Sequence, residues 1–132
     1  MKFLLDTHLL LWAAGRHERL PNAVRGVILD PDSEIVFSAA SLWEVTIKHT
    51  PGRADFRVDP RLLRRGLLDA GYQDLTITSA HAVAVQDLPA LHPALHRDPF
   101  DRLLVAQSVV EGITLLTTGP LVGQYPGPVR QV

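Results

Sequence analysis

Four carboxylates stand where this chain could use them for chemistry: Asp6, Glu44, Asp98 and Asp101. Asp98 and Asp101 lie three apart in His96-Arg97-Asp98-Pro99-Phe100-Asp101-Arg102-Leu103-Leu104, so both leave the same side of a first helical turn. Pro99 suits the first helical position, where a missing N–H costs nothing, and Asp98 before it is a natural cap. Capping by itself explains such a pair, because acids favour the positive end of a helix. Asp6 and Glu44 shift the weighing. Each comes just after a short apolar run that reads as a strand, Lys2 to Leu5 and Ile35 to Phe37. Acids gathered from several strand ends repel one another unless a cation joins them. Oxygen donors alone select a hard divalent ion, magnesium or manganese. Such an ion activates water and stabilises the charge of a phosphodiester transition state, so hydrolysis of RNA or DNA is the chemistry this set suggests.

The elements that must hold these acids follow in order. Asp6 or Thr7 caps a short helix over Leu9 to Ala14. Pro21 opens a second helix that Asp30-Pro31 stops. Ser41-x-x-Glu44 reads as a capping box, whereas a cap at Ser38 would leave Glu44 free to act. In that third helix Leu42, Val45 and Trp43 face the core. Asp59-Pro60 starts a fourth, with Leu62, Leu63, Leu67 and Leu68 inside and Arg61, Arg64 and Arg65 outside. Leu75 to Thr78 reads as a third strand. Ser79 caps a short helix through Gln86 whose apolar side is Ala82, Val83 and Val85. His92 and His96 stand four apart, but Pro89 and Pro93 oppose a regular helix and no third ligand is near, so a zinc pair is a poor reading. The helix opened by Asp98 runs an apolar face through Leu103, Leu104, Ala106 and Val110 to a stop at Gly112. Ile113 to Thr118 is a fourth strand, broken by Gly119-Pro120, and Val129 to Val132 a short edge strand. This alternation predicts an α/β fold of three layers, α/β/α, around a mostly parallel sheet of four to five strands. In a parallel sheet every strand-to-helix junction falls on one edge, which brings the four acids together from distant parts of the chain.

Composition narrows the field. The 132 residues suit a single domain, and 46% hydrophobic with 20% charged residues describes a globular chain. There is no cysteine, which removes disulfides, thiolate metal sites and cysteine nucleophiles. No apolar run approaches the roughly 20 residues of a membrane span, and Asp6 interrupts the opening run before it could be a signal peptide. The net charge of -1 exerts no global pull on nucleic acid, so any such role rests on local basic residues.

Leu4-Leu5-Asp6-Thr7-His8, Ser38-Ala39-Ala40-Ser41-Leu42-Trp43-Glu44-Val45, the His96–Leu104 stretch and Leu115-Leu116-Thr117-Thr118 occur in this order from about residue 2 to about residue 126. Together they resemble PIN-domain proteins, and among these the VapC-like toxins of type II toxin–antitoxin pairs. The resemblance implies a single PIN-like domain over residues 1–132 and a cytoplasmic, magnesium- or manganese-dependent endoribonuclease. It also implies a cognate antitoxin, a homodimer and no membrane. By position it makes Asp6, Glu44 and Asp101 the catalytic acids and metal ligands, with Asp98 as a supporting ligand or cap. Thr7, Lys48, Arg97, Arg102 and Thr117 stand near these acids as substrate contacts. Arg102 could instead pair with Asp98, four positions back. Apolar surface for an antitoxin is expected on the helices holding Leu9 to Trp12 and Trp43 to Ile47. One departure matters: after Thr117-Thr118 the family usually has an acid or amide, and here Gly119 stands. Glu111, about three helical turns past Asp101, is too far to replace it. Gly119 therefore favours an alternative, a catalytically weak or inactive fold that binds RNA or protein. A phosphatase or a receiver domain is a third reading, disfavoured by the absence of Asp-x-Asp after the first strand and of a lysine after a late one.

Overall fold

The computed structural model describes residues 1–49, 58–89 and 98–132. Arg97, His92 and His96 lie outside them. Each carboxylate-bearing junction is built by a strand that stops and a helix that is capped. Strand β1 (Lys2–Leu5) gives way to α1 (Thr7–Gly15), and α2 (Asn22–Leu29) leads back to β2 (Glu34–Ser38). Helices α3 (Ala39–Lys48) and α4 (Pro60–Asp69) precede β3 (Gln73–Leu75). Then come α5 (Ser79–Ala84), α6 (Pro99–Glu111), β4 (Thr114–Thr117) and β5 (Val129–Gln131). Helix α6 carries both expected end signals. Asp98 caps it with Pro99 in its first turn, and Gly112 ends it in the left-handed region at φ 68°, where a side chain would be strained.

The sheet has five strands in the order β3-β2-β1-β4-β5, all parallel. The chain builds outward from β1 to β3 on one side and then crosses to β4 and β5 on the other. The crevice outside the carboxyl ends of β1 and β4 is thus a topological switch point, where open α/β sheets bind ligands.

Alternate residues of the central strands feed two cores. Phe3, Leu5, Ile35, Phe37 and Leu116 pack with α1, α2 and α4, while Leu4, Val36 and Leu115 pack with Leu104 and Val105 of α6. Each such side chain contributes about 1.5–3 kcal/mol by leaving water. Helix α3 touches both cores, Ala40 on one face and Val45 on the other, so it straddles the layers at the strand ends.

Several local expectations fail for reasons of packing. Trp43 is 58% exposed, because Leu42 and Val45 already fill the α3 contact. In α4 only Leu63 and Leu67 are buried, an i,i+4 stripe, and Leu62 and Leu68 face outward. In α5 the buried residue is His81, and Val83 is exposed. In α6 burial covers Leu104 to Ser108, leaving Val110 outside. The third strand lies earlier than expected. Gln73 to Leu75 pair with Val36 to Ser38, and Thr78 serves as the cap of α5.

Candidate active site

Asp6 is the first residue past β1, and its amide still bonds to the Leu116 carbonyl at 3.1 Å, which sets it against the end of β4. Its carboxylate does two jobs. Oδ1 accepts the Leu9 amide at 2.9 Å and so caps α1; Oδ2 accepts the Thr117 hydroxyl at 2.7 Å. Thr117 is wholly buried, and its oxygen in turn accepts the Gly119 amide at 3.0 Å. Asp6 is itself only 7% exposed. Burial pushes its carboxyl above the ordinary value of 3.8, and the Leu9 amide, the Thr117 hydroxyl, His8 and the Thr118 amide draw it only part of the way back.

The choice of cap leaves the Glu44 side chain out of the α3 cap. Ser38 caps α3, its hydroxyl accepting the Ala40 amide at 3.0 Å, so Ser41 and Glu44 form no capping box. Both face inward. The Thr7 hydroxyl donates to Glu44 Oε1 at 2.7 Å and lies 3.0 Å from the Ser41 hydroxyl. Lys48, one turn on, donates to Glu44 Oε2 at 2.7 Å. Asp98 caps α6 with Oδ1 alone, which accepts the Phe100 and Asp101 amides at 2.9 and 3.1 Å. Its capping role and an open Oδ2 are therefore compatible.

Asp6, Glu44, Asp98 and Asp101 all line one cleft of about 400 Å³ at the switch point, together with Thr7, Lys48, Thr117 and Gly119. Topology does bring the four acids to one place. They are not clenched: among the described residues no three acids or histidines are arranged to grip a metal ion as they stand. The donors are all oxygens, and two of the carboxylates, Asp6 and Glu44, are buried. This is a set that suits a hard cation, with ligation completed by side-chain rotation or through water, which magnesium retains readily.

The other expected contacts divide. Thr7 and Lys48 lie in the cleft but are turned to Glu44. Thr117 reaches the cleft through Asp6. Arg102 neither pairs with Asp98 nor faces the cleft. Its guanidinium donates to the Tyr125 hydroxyl at 2.9 Å and the Val85 carbonyl at 3.3 Å, drawn by a buried aromatic partner that an exposed i,i+4 pair cannot match. Sequence reasoning missed Trp12, which lines the cleft beside His8 with ring centroids 6.1 Å apart. Their i,i+4 spacing on α1 was the available signal.

The sequence profile of the PIN domain matches residues 3–120. The chain belongs to the PIN-domain family. No curated protein sequence matches it. Among solved structures, VapBC2 from Rickettsia felis bound to a DNA fragment from its promoter superposes at a TM-score of 0.72, with 14% identity over 100% of this chain and 99% of that one. DNA-bound VapBC from Salmonella typhimurium gives a TM-score of 0.68 and 16% identity, covering 100% and 97% of the two chains. A toxin–antitoxin complex from Klebsiella pneumoniae gives 0.61 and 16%, covering 98% of each. At these identities the likeness is one of fold. The PIN match supports neither the phosphatase nor the receiver reading.

Proposed function

We propose that this PIN domain, acting as one unit over residues 1–132, is a divalent-metal-dependent endoribonuclease and the toxin of a toxin–antitoxin pair. The observation that supports this reading is the convergence of four carboxylates from three separate segments on one cleft. Asp6, Glu44 and Asp101 would hold the ion, with Asp98 in support. When bound, magnesium or manganese supplies the Lewis acidity that activates water and offsets phosphoryl charge. The chain's own residues prepare the place. Thr117 aims Asp6, Thr7 aims Glu44, and Lys48, bonded to Glu44, would offer a positive charge in the cleft to a phosphate. RNA is the substrate, and the protein works inside the cell. Among the described residues no helix is long and apolar enough to cross a membrane.

An antitoxin and a second copy of the chain are the proposed partners. Trp43 and Ile47, 58% and 52% exposed on α3, support a protein-covered face there. A second reading, a PIN fold that binds RNA or protein without cutting, draws on Gly119 and on the unclenched acids. One experiment separates the two: partner-free protein with a mixed RNA pool in EDTA, magnesium or manganese, beside Asp6→Ala. Cutting that needs the metal and disappears in the variant is expected. A folded protein that binds the pool but cuts under no metal overturns the nuclease reading in favour of the second.

A further inference from the structure

Ser38, Gln107, His81 and Glu111 take no part in the chemistry proposed for the cleft, yet they form one continuous thread of hydrogen bonds through the core. Ser38 and Gln107 are wholly buried, and His81 is 1% exposed. The Ser38 hydroxyl, already accepting the Ala40 amide, donates to Gln107 Oε1 on α6. Gln107 Nε2 donates to the Thr76 carbonyl at 3.3 Å and faces His81 Nδ1 at 3.4 Å. His81 Nδ1 accepts the Thr78 amide at 3.0 Å, so the ring proton sits on Nε2, which donates to Glu111 Oε2 at 2.9 Å. Every polar atom of Gln107 is thus engaged, and the thread joins α3, α6 and α5.

A buried amide is a poor choice for stability alone, since it must be fully paired to avoid a penalty that an apolar side chain never incurs. What it adds is direction. Glu44 rides on α3, which β2 launches, whereas Asp98 and Asp101 open α6, which feeds β4. Those two strands stand on opposite sides of β1, so no shared ladder sets the spacing of the two helices. Their apolar contact, Ala40 against the Leu104 and Val105 core, is non-directional and allows sliding. The Ser38–Gln107 bond is directional, and Ser38 is at once the cap of α3 and the end of β2. We infer that Gln107 is a positioning residue: through Ser38 it sets the distance between Glu44 and the Asp98/Asp101 pair, and hence the affinity of the cleft for its divalent ion. The inference rests on the metal-binding reading of the cleft.

The test is Mn²⁺ affinity by calorimetry on the full chain, alongside melting of the metal-free protein, for wild type, Gln107→Met, Ser38→Ala and the double variant. Each single variant is expected to weaken Mn²⁺ binding about tenfold, the effect of losing a group that orients metal ligands. The double variant is expected to bind Mn²⁺ no more weakly than either, because the Ser38–Gln107 bond that sets the spacing is already lost in each single variant. Ser38→Thr, which keeps the hydroxyl, is expected to bind as wild type does. Lower melting temperatures with unchanged Mn²⁺ affinity, or additive losses in the double variant, overturn the inference and leave the thread a packing device. Should Gln107→Met fail to fold, Ser38→Ala against Ser38→Thr decides alone, and equal affinity in the two overturns it. Absence of Mn²⁺ binding by wild type is a different failure, which removes the metal reading and the inference with it.

Discussion

Thr117→Val removes one hydroxyl from the centre of the cleft at almost constant volume. Thr117 is wholly buried; its hydroxyl donates to Asp6 Oδ2 at 2.7 Å and accepts the Gly119 amide at 3.0 Å. A hydrogen bond to an ionised group is worth about 1.5–3 kcal/mol, and the partly exposed Gly119 amide recovers most of its loss from water. The expected cost is about 2–3 kcal/mol, which for a chain of this size lowers the melting temperature by roughly 10 °C. The pH dependence sharpens the test. The Thr117 bond favours ionised Asp6, so its charge-dependent share is present above the folded pKa of Asp6 and fades below it. The gap between wild type and variant should therefore narrow as pH falls from 7.5 toward 4. Calorimetric melts of metal-free protein across that range measure it. A gap under 2 °C at pH 7.5, or one that does not change with pH, would refute the claim that this hydroxyl holds a charged Asp6.

For Asp6 as a whole the sign is reversed. Burial outweighs its hydrogen bonds and the folded pKa lies above 3.8, so its contribution to stability is full below that value and is lost as pH rises through the folded one. Asp6→Asn, which can keep the α1 cap through its amide oxygen, should thus melt higher than wild type at pH 7.5, with the gain gone near pH 4, and should bind no Mn²⁺. A lower melting temperature at pH 7.5 would show that the carboxylate is a net stabiliser. Gly119→Asp restores an acid to the rim of the cleft. A Cβ there meets Thr117 Oγ1 at 3.3 Å and Val122 Cγ2 at 3.4 Å, so the neighbours must yield by a few tenths of an ångström. Melting a few degrees lower, from crowding and added like charge, with several-fold tighter Mn²⁺ binding is expected; unchanged affinity in calorimetry would count against a ligand position there.

Much of the fold was legible because its signals are local. Asp98-Pro99 begins a helix and Gly112 ends it through backbone geometry that needs no tertiary partner. Alternating strand and helix patterns are enough to imply a parallel sheet, and a parallel sheet is enough to bring Asp6, Glu44, Asp98 and Asp101 to one edge. The open choices and the errors fall where two local solutions were equally good. Ser38 and Ser41 are both competent caps, and only the Gln107 acceptor on α6 and the packing of α3 across both cores favour Ser38. Trp43 reads as a core residue until Leu42 and Val45 fill the same contact, and nothing local marks His81 for burial, which depends on its partners on α6.

The sequence by itself determined where most elements start and stop, which class of sheet they form and which acids reach its carboxyl edge, since these follow from contacts within a turn or two of chain. Tertiary structure alone decided what each acid then meets. The hydroxyl that aims Asp6 lies 111 residues away, Arg102 turns to Tyr125 and not to its helical neighbour, and Gln107 finds Ser38 across 69 residues. Such pairings depend on how whole helices settle on the sheet, where burial makes one hydrogen bond decisive and no local pattern records which one it will be.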